Sequence, residues 1–579
     1  MTVRRMMGTE TEYAVSDLGR EHYNPVQLSF DVVSGAANPE TQHIRWDYRQ
    51  EDPLNDARGT RLPRAAARPD MLTDEPQRQI VNVIASNGGR IYVDHAHPEY
   101  SAPETMDPFE AVCYDHAGDA LMREATRKAN ERNGSHIVLH RNNVDGKGAS
   151  WGTHENYMML RNVPFEKVAA LMTLHFVSRQ IYAGSGRVGI GEKSEEAGYQ
   201  LSQRADYVHS IVGLQTTFDR PIVNARDESH VTGDFRRLHV IVGDANRMDV
   251  PQALKLGTTS MLLWLLEQTE DGNSAFDIEG LLADLQLVDP VEAMHIISHD
   301  LSLAAPLPLE QGGNTTAWQI QVRLLSAVSA QGAATYGTDS RGDPLWPDEP
   351  TKRVMAMWQQ ALADVAKVRH ASDDERLTMT DEGSRLEWLL KWQLMERLRS
   401  KIGENWSSPK LAALDLSWAA LDPSHSVFAR LQSQTERTFV NLHHQADSEE
   451  SDISDSDSEP SQVSTQQQAD AELERATSTP PEDTRAWLRA EILRLFPQDV
   501  VAASWSHITV SEDSNDDANA HPDYTTDAEG NRMARRSAHL YSLDISDSAR
   551  WTKSQCEQSL VYSEAHNESA VQALKRLAN

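Results

Sequence analysis

Cysteine is almost absent from the 579 residues: Cys113 and Cys556 stand far apart. That excludes a disulfide scaffold, a thiolate-rich zinc site and an iron–sulfur cluster, and it points to a reducing compartment. No run approaches the roughly 18 apolar residues that cross a bilayer, and Met1-Thr-Val-Arg-Arg is not followed by a signal-type apolar segment. A cytoplasmic chain without a membrane role is therefore expected. Basic residues are also in deficit, with 55 Lys and Arg against 87 Asp and Glu and a formal charge of -32. Long-range attraction to nucleic acid is excluded on that balance, although a local basic groove could still hold a phosphate.

What remains is a chain with 39% hydrophobic and 25% charged residues, enough for a large core or for several ordinary domains. Strands are expected over Arg4–Ser16, Arg90–Asp94, His136–Arg141, Thr153–Leu160, Tyr207–Thr216, Leu238–Gly243 and Ala502–Val510. Helices are expected from Pro108 onward and over Phe165–Tyr182, Pro251–Gln268, Thr351–Val368, Ser384–Ile402, Thr484–Leu495 and Tyr562–Leu577. In Ser384–Ile402, Trp388, Leu389, Trp392 and Met395 form a core-facing stripe. Tyr48–Thr73 is rich in Asp, Arg and Pro and reads as an exposed, mobile loop, too long to be idle. Asp447–Pro481 is low in complexity and expected to be disordered, and Ser511–Asn531 is a second polar insertion. Gly184–Gly191 reads as a glycine-rich loop. It lacks the ending of a nucleotide-binding P-loop, and the chain has neither a metalloprotease H-E-x-x-H nor a serine nucleophile elbow.

Chemistry concentrates in two places. Glu10 and Glu12 are two apart on an expected strand and share a face; Arg90, Tyr92 and Asp94 do the same, with His97 and Glu99 just beyond. Carboxylates gathered on one sheet face need cations, and oxygen donors suit a hard ion such as magnesium, which usually works with phosphates. Lys147, Arg187, Arg204 and Arg226 are candidate phosphate partners. His154, Glu155, His230 and His239 lie beside the expected strands.

The blocks M-G-T-E-T-E-Y, N-G-G-R-I-Y-V-D-H-A-H-P-E-Y-S-A-P-E, N-N-V-D-G-K-G-A-S-W-G-T-H-E-N-Y, G-S-G-R-V-G-I-G, N-A-R-D-E-S-H and R-R-L-H-V-I-V-G-D-A-N resemble the Pup deamidase/depupylase family, relatives of the Pup ligase within the carboxylate-amine ligase superfamily that includes glutamine synthetase. The resemblance implies an α+β fold, a glutamine synthetase-like curved antiparallel sheet packed by helices, with a small C-terminal domain. It divides the chain into a catalytic domain over 1–445 with a mobile loop near 40–79, an acidic insertion over 446–482 and a C-terminal domain over 483–579.

It further implies magnesium ligands at Glu10, Tyr92 and Glu99, joined by His154 and His239. ATP, or ADP plus phosphate, would meet Arg90, Ser101, Trp505 and Arg226, and Asp94 would be the catalytic carboxylate. Arg204 and Arg226 would contact phosphate or substrate carboxylate and could stabilise an oxyanion. The implied partners are Pup and pupylated proteins. Asp94 is left as either nucleophile or general base. The spacing from Asp94 to Glu99 and the Trp46–Gly59 segment resemble the hydrolase branch rather than the ligase.

Overall fold

The computed structural model describes residues 3–67, 81–228, 230–231, 233–270, 272, 276–439, 465–511, 524–526, 532–534 and 540–579. Its centre is a six-stranded sheet in the order Phe235–Val240, Thr153–Leu160, Met7–Glu12, His97–Ser101, Arg90–Asp94, Asn82–Ile84, with every neighbouring pair antiparallel. Alternation explains its two faces. In Thr153–Leu160 the odd positions Thr153, Glu155, Tyr157 and Met159 are buried, whereas His154, Asn156 and Met158 point to the other, half-open side.

The buried face packs on helices, chiefly Pro108–Asn133 and Asp249–Glu270. Asp107 caps the first of these through the backbone N–H groups of Phe109 and Glu110, with Pro108 in the first turn, the arrangement that favours a clean helix start. Gly118 lets this helix lie against the sheet, because a Cβ there would stand 2.1 Å from the Tyr100 ring. Polar groups cross this interface as well. Thr9 and Thr11 donate from the sheet to Asp115 Oδ1 at 2.8 and 3.2 Å, Tyr13 donates to Asp119 Oδ1 at 2.8 Å, and Arg141 binds both aspartates.

A second, smaller sheet runs Leu540–Asp544, His507–Ser511, Val500–Ala503, Arg45–Trp46. Its last pair is parallel, Ala502 opposite Arg45 and Ala503 opposite Trp46. The smaller hydrophobic core beneath it joins Ile44 to Trp487, Leu488, Val500, Ile508, Leu560 and Leu574.

Several expectations need correction. The expected first strand breaks at Tyr13 into Met7–Glu12 and Ala14–Asp17, which pair with different partners. The expected mobile loop is, through residue 67, a stitched segment: besides Arg45–Trp46 it holds a short hairpin of Asn55–Asp56 with Thr60–Arg61. Backbone pairing outweighs its polar composition there. Arg68–Thr73 lie outside the described residues. The glycine-rich loop contains a strand, Arg187–Ile190, paired with Glu196–Gln200.

Within the tract expected to be disordered, Thr465–Ser478 is a helix whose Ala469 and Ala476 enter the main core. Small alanines at helical spacing supply the apolar face that overall composition hides. The acidic run Asp447–Glu459 and most of the second polar insertion lie outside the described residues. The closing helix is two, Lys553–Ala565 and Ala570–Ala578, the second started by a capping box at Ser569 and Gln572.

The two sheets are joined through Glu104. It accepts from Arg485 Nε at 2.8 Å and Arg489 Nη2 at 2.5 Å. Burial pushes the Glu104 carboxyl up, but the two guanidiniums outweigh it and bring it down to about 2. A carboxyl lowered in the folded state stabilises above its unfolded range, and that contribution disappears as pH falls from about 4.5 toward about 2. Glu104→Gln is therefore expected to cost on the order of 3 kcal/mol at neutral pH. Thermal melts of both proteins should show the gap closing below about pH 4; a gap independent of pH would contradict this assignment.

Candidate active site

The open face of the main sheet gathers its polar side chains by register. Glu10 lies opposite His154 on one side and Ser101 on the other, Glu12 opposite Glu99, Tyr92 opposite Glu99, and Asp94 opposite His97. Two three-residue groups result, Glu10–His154–His239 and Glu12–Asp94–Glu99, each with its ligand atoms within 4.8 Å of one another. The expected ligands Glu10, His154 and His239 are brought together in the first group. Glu99 falls in the second, with Tyr92 across from it. Glu12, which alternation had placed on the right face, joins Asp94 and Glu99 without having been assigned a ligand role; its cross-strand position opposite Glu99 is visible only once strands are paired.

The electrostatics of the two groups differ. Burial pushes the Glu10 carboxyl up, yet the His154 hydrogen bond at 3.2 Å and the Arg237 charge hold it well below the usual range. His239 is kept neutral, first by burial and then by Arg237. In the second group, burial and the neighbouring Asp94, Glu12 and Glu10 drive Glu99 well above the carboxylate range. Asp94 goes the other way: burial would raise it, but the His95 contact at 3.1 Å and further imidazoles lower it. The Asp94 side chain remains 41% exposed, so it is both ionised and reachable. The backbone at His95 has φ 51, the left-handed turn that carries the chain from the Arg90–Asp94 strand into the next.

Both donor sets suit divalent cations. All-oxygen donors in the second group match a hard ion such as magnesium, and the raised Glu99 is what a carboxylate cluster does without one. The imidazole–carboxylate set of the first also fits a divalent metal. Gly152 makes room for the His154 ring, since a Cβ there would lie 2.1 Å from His154 Nε2.

Around these groups the other expected residues take distinct places. Arg90 is held in an aromatic box, its guanidinium carbon 4.1 Å from the Trp46 ring centre and 3.8 Å from that of Tyr92, while it donates to Asn82 Oδ1 at 2.7 Å and Tyr48 OH at 3.0 Å. Ser101 donates to Tyr92 OH at 3.4 Å. Trp505 meets Trp46 edge-on at 5.1 Å and lies under Arg489 at 4.8 Å. A pocket opens beside Ser101 and Trp505, lined among others by Glu10, Arg237 and Arg485.

Arg226 feels both carboxylate groups, through Asp94 and Glu10, and burial lowers its guanidinium. It is bridged to Asp56 of the stitched segment, where Ala57 N–H donates to Ala225 O at 2.8 Å. Arg204 stands apart. It is buried and donates to Ser150 Oγ, Trp151 O and Ile241 O at 2.9, 2.6 and 2.8 Å. Burial and the adjacent Arg220 push it down to about 9, while Glu12 favours its charge. Asn156 and Arg237 were missed in sequence; both sit on site-facing positions of strands whose other members were recognised.

The chain is similar to known proteins. The chain is 40% identical over 512 residues to the Pup deamidase/depupylase of Mycolicibacterium smegmatis, covering 87% of this chain and 91% of that protein. It is 38% identical over the same shares to the depupylase of Acidothermus cellulolyticus. Similarity to the Pup–protein ligase of Corynebacterium aurimucosum is lower, 30% over 74% of this chain and 82% of that protein. The crystal structure of the ligase PafA in complex with Pup shares the fold, with a TM-score of 0.68, 23% identity and coverage of 99% of this chain and 95% of that one. PafA in complex with ADP gives a TM-score of 0.61 at 25% identity, over 84% and 90%. The Pup-ligase protein family model matches residues 5–451 and 458–509, and the chain belongs to that family.

Proposed function

We propose that this protein hydrolyses the side-chain amide of the C-terminal glutamine of Pup to glutamate, and cleaves the isopeptide bond between that glutamate and a target lysine. The two are one reaction with different leaving amines. The observation that carries the reading is Asp94: an exposed carboxylate held ionised at the rim of a carboxylate cluster, in a chain more similar to deamidase/depupylase proteins than to the ligase compared.

The pocket beside Ser101 and Trp505 would take ATP, or ADP plus phosphate, with Arg237 and Arg485 in its lining and Arg90 and Arg226, outside that lining, as further phosphate partners. Glu10, His154 and His239 would hold one magnesium, and Glu99, with Glu12 and Tyr92 adjacent, a second. A bound cation would supply positive charge against the phosphates of the nucleotide and against a developing oxyanion. The chain itself does the rest. Asp94, with its lowered pKa, is a poor base and an available nucleophile; it attacks the amide carbon, the C–N bond breaks as the departing nitrogen takes a proton from solvent, and water cleaves the acyl–Asp94 anhydride into two carboxylates, returning the proton. Arg226 faces the oxyanion. Arg204, committed to three protein acceptors, shapes the floor beneath Glu12.

An Asp94→Asn protein should bind nucleotide normally and release ammonia from glutamine-ended Pup at least about 100-fold more slowly; wild-type ammonia release would remove Asp94 from the chemistry. With wild-type protein, ammonia and glutamate-ended Pup should form without stoichiometric ATP loss, whereas a ligase would release no ammonia and would yield ADP and Pup–lysine conjugate only from glutamate-ended Pup. Because Glu99 is raised and a metal ligand must be deprotonated, magnesium affinity measured by calorimetry should increase from pH 5 to pH 8 with proton release. Ala57→Pro, which deletes the N–H bonded to Ala225 O, should shift Arg226, lower turnover by roughly tenfold and weaken nucleotide binding; unaltered kinetics would separate the stitched segment from catalysis.

A further inference from the structure

Asn156 lies opposite His239 in the strand pairing, and its amide touches three groups of the site. Nδ2 donates to Glu10 Oε1 at 3.1 Å; Oδ1 accepts from Arg237 Nη1 at 3.0 Å and meets His239 Nδ1 at 3.0 Å. The orientation of the amide follows from its partners. A guanidinium has only donors, so the atom facing Arg237 is the oxygen; an ionised carboxylate has only acceptors, so the atom facing Glu10 is the nitrogen. An oxygen facing His239 Nδ1 requires the proton to be on Nδ1. The neutral ring carries one proton, which leaves Nε2 with its lone pair. Arg237 is anchored in turn by Glu228 Oε2 at 3.1 Å, so the amide cannot turn without breaking a charged contact.

From this chain of donors we infer that Asn156 is a positioning residue: one side chain fixes the tautomer of His239 and the direction of Glu10, and thereby sets two of the three donors of the Glu10–His154–His239 group. The inference rests on the metal-site reading above and adds to it a residue that touches no metal. Partners of this kind fix the ring nitrogen left for the ion and typically change affinity by about 10–100-fold when removed.

The test uses the full-length protein with Mn2+ alone as the probe. Affinity is followed by electron paramagnetic resonance, and the His239 tautomer by nitrogen NMR of the metal-free protein labelled in histidine, with the resonance assigned by its loss in His239→Gln. Wild type should show the Nδ1–H form. Asn156→Leu should lose that preference and bind Mn2+ about 10–100-fold more weakly at the tighter site. Asn156→Asp keeps an acceptor for His239 and should retain the Nδ1–H form, which a merely space-filling role for Asn156 would not require; Asn156→Ala replaces the leucine variant if that one does not fold. An Nε2–H ring in wild type, or wild-type Mn2+ affinity in the leucine or alanine variant, overturns the inference. Failure of wild type itself to bind Mn2+ would instead refute the metal-site reading, leaving the tautomer measurement to judge Asn156 by itself.

Discussion

Mutual repulsion among Glu10, Glu12, Asp94 and Glu99 is the constraint on which this structure turns. Four carboxylates on one face of a sheet, two of them directly opposed across strands, would drive their strands apart or take up protons if nothing opposed them. The fold opposes them from behind. On the reverse of the same strand, Thr9 and Thr11 converge on Asp115, which Arg141 and Gln252 hold in turn. Glu10 and Glu12 thus alternate with threonines tied into a buried polar network. Such networks hold position through several shared partners.

The open side answers the same repulsion unevenly. Imidazoles and Arg237 surround Glu10, whereas Glu99 has mainly other carboxylates for company. One group is therefore electrically settled in the protein alone, and the other is left wanting a cation. Asp94, at the exposed edge between His95 and His97, gains ionisation without losing access, the combination needed in a group that must meet a substrate.

Much of this was legible in sequence because strands write with a period of two. Glu10 and Glu12, and Arg90, Tyr92 and Asp94, declare a common face with no knowledge of the fold. What alternation cannot supply is which strand lies beside which: the union of Glu12 with Asp94 and Glu99, and the place of Asn156 between Glu10 and His239, follow from register across distant segments. The stitched segment misled for a different reason. Its Asp, Arg and Pro content matches a solvated loop, but Arg45–Trp46 is ordered by hydrogen bonds to another strand and Trp46 by its contacts with Arg90, Glu51 and Trp505. Thr465–Ser478 likewise hides its order in two alanines. Arg204, expected at the chemistry, donates to two backbone carbonyls and one serine, partners that no residue type can announce.

The parallel pairing of Arg45–Trp46 with Val500–Ala503 joins a segment near the start of the chain to one near its end. Closing a loop of that span carries a large entropic cost and forms late. Trp46 forms one wall of the box around Arg90, so that wall cannot be set until the C-terminal sheet strands exist to receive it. On the ribosome, the aromatic wall beside the carboxylate face waits for Val500–Ala503 to emerge. A chain cut before that strand would carry the acids without this wall of their enclosure.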